Sequence, residues 1–149
     1  IMLDREALLH LMGKIWNAYG LRLDQAFRDA GVSLNAEQFR FLDLVRERPG
    51  QYQEIYSRAL GRDRSSTTRM VQSLLRKGWI TRIPAKELQD SQELDTRIKR
   101  IYLSEEGQKM LDLVAQPVRL ALLPLWENLA GEEREMLELL LKRIYSNIL

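Results

Sequence analysis

Between positions 62 and 77 five cations, Arg62, Arg64, Arg69, Arg76 and Lys77, stand against Asp63 alone, a local net charge of +4 in a 149-residue chain whose total is +2. At 100° per residue Ser65, Arg69, Gln72 and Arg76 share one stripe of a helix, and Thr67, Val71 and Leu74 share the opposite one. One face of such a helix packs and the other displays donors. Arginine forks onto guanine, glutamine onto adenine, and hydroxyls reach phosphates or base edges, so the outer face suits the major groove of a DNA duplex. A solvated surface helix is the alternative that this stretch alone leaves open. Catalysis is poorly provided for. The chain holds one histidine, His10, and no cysteine, which removes disulfides, thiolate metal sites and any site built on several imidazoles. A histidine base without an orienting acid and a nucleophile makes no triad. No enzyme activity, catalytic residue, metal site or cofactor is expected.

The elements that must position this face can be read on either side of it. Asp63 is placed to cap the helix by accepting orphan N–H bonds, and Gly78 to end it at positive φ. Upstream, Leu34 to Arg48 reads as a helix with Asn35 as cap, Gln38 in the capping-box position and Pro49-Gly50 as its stop, its Phe39, Leu42 and Val45 inward. Gln51 to Leu60 reads as a short third helix with Tyr52, Ile55, Tyr56 and Leu60 on its apolar side. Residues 51–78 then form helix, tight turn, helix. Downstream, Trp79–Ile83 and Ile98–Leu103 are rich in β-branched and aromatic residues and form a hairpin. Arg97, Lys99 and Arg100 lie at the base of its return strand, within reach of phosphates flanking a groove. Plain solvation is the other reading for Lys99 and Arg100.

In order and spacing these blocks resemble the MarR (multiple antibiotic resistance regulator) family of winged helix-turn-helix proteins. The resemblance runs from Leu34-Asn35-Ala36-Glu37-Gln38-Phe39 through Ala59-Leu60-Gly61-Arg62-Asp63-Arg64-Ser65-Ser66-Thr67-Thr68-Arg69 and Leu74-Leu75-Arg76-Lys77-Gly78-Trp79-Ile80. It closes with Asp95-Thr96-Arg97 and Ile101-Tyr102-Leu103-Ser104-Glu105-Glu106-Gly107, and so covers about half of the chain. It implies a homodimer that binds a pseudo-palindromic operator in double-stranded DNA, most simply a transcriptional repressor relieved by a small, often phenolic, ligand. The wing segment departs from the family pattern. It is longer, with Glu87, Asp90, Glu93 and Asp95 against Lys86, and an acidic tip is unfavourable beside phosphates. The wing contact is therefore carried over for Arg97 alone, with Asp95 as its orienting partner.

The expected architecture is mainly α with a small β-hairpin wing, a single domain over 1–149 in which 34–107 is the winged helix-turn-helix and 1–30 and 108–149 are dimerisation helices. The expected DNA contacts are Ser65, Ser66, Thr68, Arg69 and Gln72 in the groove, Arg62 and Arg64 on phosphates, and Arg97 towards the minor groove. The first helix, Leu3 to about Ala30, carries Leu8, Leu11, Met12, Ile15, Tyr19, Leu23 and Phe27 at helical spacing, widened by Leu9 and Trp16. Such a stripe has two neighbours, its own core and a second chain. His10, Trp16 and Tyr19 are candidates for an effector pocket; the alternative is core or interface aromatics and a surface histidine. A long helical region from Ser104 carries Pro117 and Pro124, where kinks are expected. The last helix opens at Gly131 with Glu132, Glu133 and Glu135, and Leu137, Leu140, Leu141, Ile144, Tyr145 and Ile148 exceed what one small domain can cover.

Composition bounds the remainder. Hydrophobic residues make up 45% and charged residues 30%, a normal globular balance with no run long enough to cross a bilayer. No membrane partner is expected. The opening Ile1-Met2-Leu3-Asp4-Arg5-Glu6 lacks a basic-then-apolar secretory pattern, and the expected address is cytoplasmic. From Ser104 onward eight acids face five bases, a tail at −3, so positive charge is gathered in the middle of the chain. A winged-helix module that binds an acidic protein surface in place of DNA is the alternative function.

Overall fold

The computed structural model describes residues 5–84 and 99–149. In chain order these form α1 (Arg5–Asp29), α2 (Ala36–Glu47), β1 (Gln51–Tyr52), α3 (Gln53–Ala59), α4 (Arg64–Arg76), β2 (Ile80–Pro84), β3 (Lys99–Leu103), α5 (Glu105–Leu122), a 3-10 turn (Leu123–Trp126) and α6 (Gly131–Ser146). The chain is mainly α, with one small antiparallel sheet in the order β1-β3-β2.

The core gathers where α1, α2, α3, α4, β3 and α5 meet. Leu23 and Phe27, Phe41, Leu42 and Val45, Tyr56, Val71 and Leu74, Ile101, Leu111 and Val114 are all fully buried there. Each of these side chains contributes about 1.5–3 kcal/mol by leaving water. Local signals fix the ends of the elements. The Asn35 side chain accepts the Gln38 N–H at 2.8 Å and Gln38 Oε1 accepts the Asn35 N–H at 3.2 Å, the capping box the spacing predicts. Gly31 ends α1 at φ +70 and Gly78 follows α4 at φ +76, a region open to glycine at little cost.

The short third helix does not start where the sequence places it. Gly50, at φ +78, turns the chain so that its N–H donates to Ile101 O at 2.9 Å. Gln51 and Tyr52 then pair with Ile101 and Arg100 as β1, and helix begins only at Gln53. The Gln51 N–H goes to the Tyr56 hydroxyl at 3.2 Å, and that hydroxyl donates to Arg48 O at 2.6 Å. Ile55, expected on the apolar side, is exposed, and the buried residues of α3 are Tyr56 and Ser57.

Pro117 lies inside α5, which continues as helix to Leu122, and Pro124 falls in the first positions of the 3-10 turn. That placement leaves its missing N–H among the orphans of a helix start. Ser104 joins α5 to the end of α4. Its N–H donates to Trp79 O at 3.0 Å, its hydroxyl to Gly78 O at 2.6 Å, and the same oxygen accepts the Gly107 N–H at 2.9 Å. A Cβ on Gly107 would lie 2.1 Å from Trp79 O.

Two stretches contribute little to this core. In α1 only Leu23, Ala26 and Phe27 are buried, whereas Leu8, Leu9, Leu11, Ile15 and Trp16 are exposed. The apolar stripe is thus divided along the helix, its C-terminal third covered and its N-terminal part open. In α6 no residue is buried, and Leu137, Leu140, Leu141, Ile144 and Tyr145 all stand exposed.

Candidate nucleic-acid interface

The helix α4 separates its two faces as the periodicity requires. Thr67, Val71 and Leu74 are fully buried with Met70 beside them, and Ser65, Arg69, Gln72 and Arg76 are exposed. Its N-terminus is capped by Asp63, which accepts the Ser66 N–H at 2.8 Å and the Ser66 hydroxyl at 3.1 Å. These bonds to the Ser66 backbone and side chain hold the Asp63 carboxyl below the usual carboxylate range. The turn from α3 is fastened from inside: Ser57 donates its hydroxyl to Arg62 O at 2.9 Å and shares a 2.8 Å bond with the Thr67 hydroxyl. Buried hydroxyls that satisfy each other in this way fix the angle between the two helices.

The nominated residues divide into two groups. Ser65, Arg69 and Gln72 have no hydrogen bond or ion pair among the described residues, so their donors and acceptors point outward unspent. Arg64 is also exposed, touching Glu54 at 3.2 Å, a surface pair of small energetic consequence. The other hydroxyls are engaged. Ser66 is bonded to Asp63, and Thr68 donates to Arg64 O at 2.9 Å while accepting Gln53 Nε2 at 2.8 Å.

Arg62 departs from the expectation of a free phosphate contact. Its side chain is only 22% exposed and pairs with Glu37 of α2 at 2.8 Å. It braces the turn, and reaching a phosphate would cost that pair. Arg97, with the acidic segment that includes Asp95, lies outside the described residues.

Between α4 and the sheet runs a groove of about 510 Å³ lined by Tyr52, Gln53, Arg64, Thr68, Arg82, Lys99 and Ile101, with Glu54 the one acid among them. Lys99 is where the hairpin reading places it, at the start of β3 opposite Pro84. Arg82 was not nominated. Alternation gives no signal for it, since Arg82 shares the parity of Ile80, which faces the core, and the burial pattern along β2 breaks after Ile80. Arg100 turns aside: its guanidinium lies 5.5 Å from the centre of the Tyr52 ring.

The three effector candidates are not brought together. Trp16 and Tyr19 lie 5.4 Å apart, centre to centre, with the Arg40 guanidinium 4.4 Å above Trp16 and 5.6 Å from Tyr19. Burial pushes the Tyr19 phenol up, and the Arg40 charge opposes that. A cleft of about 610 Å³ opens beside them, lined by Trp16, Asp24, Asn35, Ala36, Glu37 and Arg40. His10 is exposed six residues earlier, about 9 Å along the helix at 1.5 Å per residue, and does not line it. Among the described residues no group of three or more His, Asp or Glu is placed to hold a metal ion, and no helix is long and apolar enough to cross a membrane.

A short bracing helix, a tight turn, an outward-facing basic helix and a flanking hairpin define a winged helix-turn-helix protein. The MarR family model matches residues 34–87, from the cap of α2 past the end of β2. The chain is 26% identical over 141 residues to the HTH-type transcriptional regulator YybA of Bacillus subtilis, covering 95% of this chain and 88% of that protein. It is 30% identical over 90 residues to the transcriptional repressor MprA of Escherichia coli, covering 60% of this chain and 47% of MprA, about half of that repressor's length. The crystal structure of the transcriptional regulator SlyA superposes with a TM-score of 0.80 at 25% identity, over 95% of this chain and 93% of that one. Wild-type MarR from E. coli shares the fold at a TM-score of 0.73 and 23% identity, over 97% and 98% of the two chains. The chain thus carries a MarR-type winged helix-turn-helix over residues 34–87 and is similar, along most of its length, to transcriptional regulators.

Proposed function

We propose that this protein works as a homodimeric, sequence-specific DNA-binding repressor of cytoplasmic address. In this reading α4 of each protomer enters one of two successive major grooves about 34 Å apart. The observation that carries it is the outer face of α4, where Ser65, Arg69 and Gln72 are exposed and uncommitted on a helix whose other face is locked into the core. Ser65, Arg69 and Gln72 read base edges; Arg64, Arg82 and Lys99 meet phosphates; Ser66 and Thr68 hold the first turn of α4 in shape and contact the duplex at its margin. Arg97 reaches for the adjacent minor groove. Arg62 acts chiefly through its pair with Glu37. The name of the E. coli relative, a transcriptional repressor, supports repression as the outcome.

Residues 34–107 are the DNA-binding unit in this reading, and 1–30 with 108–149 supply the dimer. The support is the apolar surface that this chain leaves open on the first half of α1 and along α6. A small phenolic ligand that relieves repression finds ring and charge in the cleft beside Trp16, Tyr19 and Arg40, and it shifts the dimer only by binding one spacing of the two α4 helices better than the other. His10 has no part in that pocket.

Selection of bound duplexes from a random pool, followed by titration of the winner and of random duplex at two salt concentrations, tests the function. An inverted repeat and a steep fall of affinity with salt are expected. A shallow salt dependence with no enriched sequence would overturn the reading in favour of a module that binds an acidic protein surface.

A further inference from the structure

The first turn of α2 touches three things at once. Behind it, the Ala36 N–H donates to Asp24 Oδ1 of α1 at 2.7 Å, and Gly20 of α1 lies opposite Ala36. In front of it, neighbouring side chains grip opposite ends of α4. Glu37 holds Arg62, immediately before the Asp63 cap, at 2.8 Å. Gln38 reaches the other end, donating to the Ser73 hydroxyl at 3.5 Å and accepting from Lys77 Nζ at 3.4 Å. Lys77 Nζ also donates to Ser33 O in the loop that leads into α2, and its ammonium lies 4.8 Å from the centre of the Trp79 ring. Gln38 is at the same time a member of the capping box with Asn35, so its position is fixed by the start of α2 itself.

A helix of 13 residues is about 20 Å long at 1.5 Å per residue. Held at one end it could pivot; held at both ends by adjacent residues of one turn it must follow that turn. We propose that Glu37 and Gln38, with Asp24 behind them, are positioning residues that make the orientation of α4 follow α1. A displacement of α1 pulls on Ala36 through Asp24, and α4 moves with the turn as a rigid unit. The fully buried Thr67, Val71 and Leu74 seat α4 on the core; the two polar ties add a directed link from its ends to the first turn of α2. The use of this link in gene regulation rests on α4 reading DNA, and the link itself does not.

The absence of cysteine in the chain makes it accessible to spin labels. Labels at Lys14→Cys on α1 and Gln72→Cys on α4, both exposed positions, report the distance between the two helices when the labelled protein is diluted into unlabelled protein. Asp24→Ala removes the acceptor and is expected to shift or broaden that distance distribution; Asp24→Asn keeps an acceptor oxygen and is expected to restore it. Coincidence of the Asp24→Ala and parent distributions, or failure of Asp24→Asn to restore the parent one, overturns the proposal. A second arm uses unlabelled protein. For Glu37→Gln the affinity for the selected duplex is expected to fall about tenfold with random-duplex affinity changed less than about twofold, the size of one coupled contact. Equal losses on both duplexes, or none on either, overturn it. If the parent binds no duplex while the Asp24 pair behaves as expected, the link stands and the proposed function fails.

Discussion

The helices α4 and α6 are of similar length, 13 and 16 residues, yet the chain treats them oppositely. In α4 the apolar side is wholly covered and the polar side left open; in α6 the apolar side is left open too, with no residue buried. An uncovered polar face persists in water as it is, whereas an uncovered run of leucines has a hydrophobic driving force to acquire a cover. The two surfaces therefore call for different partners. A strongly hydrated, highly charged one suits the face of α4. An apolar one, such as a second copy of the chain, suits α6.

Breaking the α6 side has the largest expected effect. Leu140→Glu with Leu141→Glu should convert a dimer to a monomer in sedimentation velocity and abolish binding to an inverted repeat, because two half-sites are no longer held together. A dimer that survives this pair of charges would sink the contrast. On the buried side of α4, Leu74→Ala should cost about 2–5 kcal/mol of stability in denaturant unfolding, the transfer and cavity penalty for a fully enclosed leucine. The same change at exposed Leu139 of α6 should leave the unfolding of an isolated protomer within about 0.5 kcal/mol of the parent.

The open side of α4 gives smaller effects that separate by role. Arg69→Ala should weaken the selected duplex by about 1–3 kcal/mol and relax preference at one base pair, whereas Arg64→Ala should weaken all duplexes alike and lower the salt slope by about one unit. Parallel losses in both would dissolve the distinction between base reader and phosphate contact. The smallest effect concerns the cap. Bonds from Ser66 hold the Asp63 carboxyl below its ordinary value, so its contribution is complete at neutral pH and fades as pH falls through the lowered value. Asp63→Asn should therefore lower thermal stability modestly at pH 7 and flatten the acid limb of the profile, its loss shrinking as pH falls; a loss as large in acid as at neutral pH would contradict the assignment.

The comparison also marks what the sequence could disclose. The ends and faces of α4 were legible because Asp63, Gly78 and the spacing of Thr67, Val71 and Leu74 are local signals, acting within one helix. The surplus of leucine near the C-terminus was legible for a similar reason: it requires only periodicity and a sense of how much one domain can cover. What escaped was everything decided across long stretches of chain. Gln51 and Tyr52 leave the third helix because β3, fifty residues later, offers them partners. Arg62 is drawn from the groove face by Glu37, and Arg40 settles over Trp16, neither neighbour being close in sequence. Arg82 shares the parity of buried Ile80, so alternation would place it inward, and its exposure is another feature the local pattern does not encode.

The room left beside Trp79 by Gly107 has a mechanical meaning. With a carbonyl oxygen only 2.1 Å from where any other residue would carry its first side-chain carbon, and with Ser104 stitching the same junction to Gly78, the end of α4 and the long α5 strut are seated flush, with no washer between them. An alanine there would act as a shim, tilting one part against the other, so their mutual angle is set by a space smaller than a methyl group.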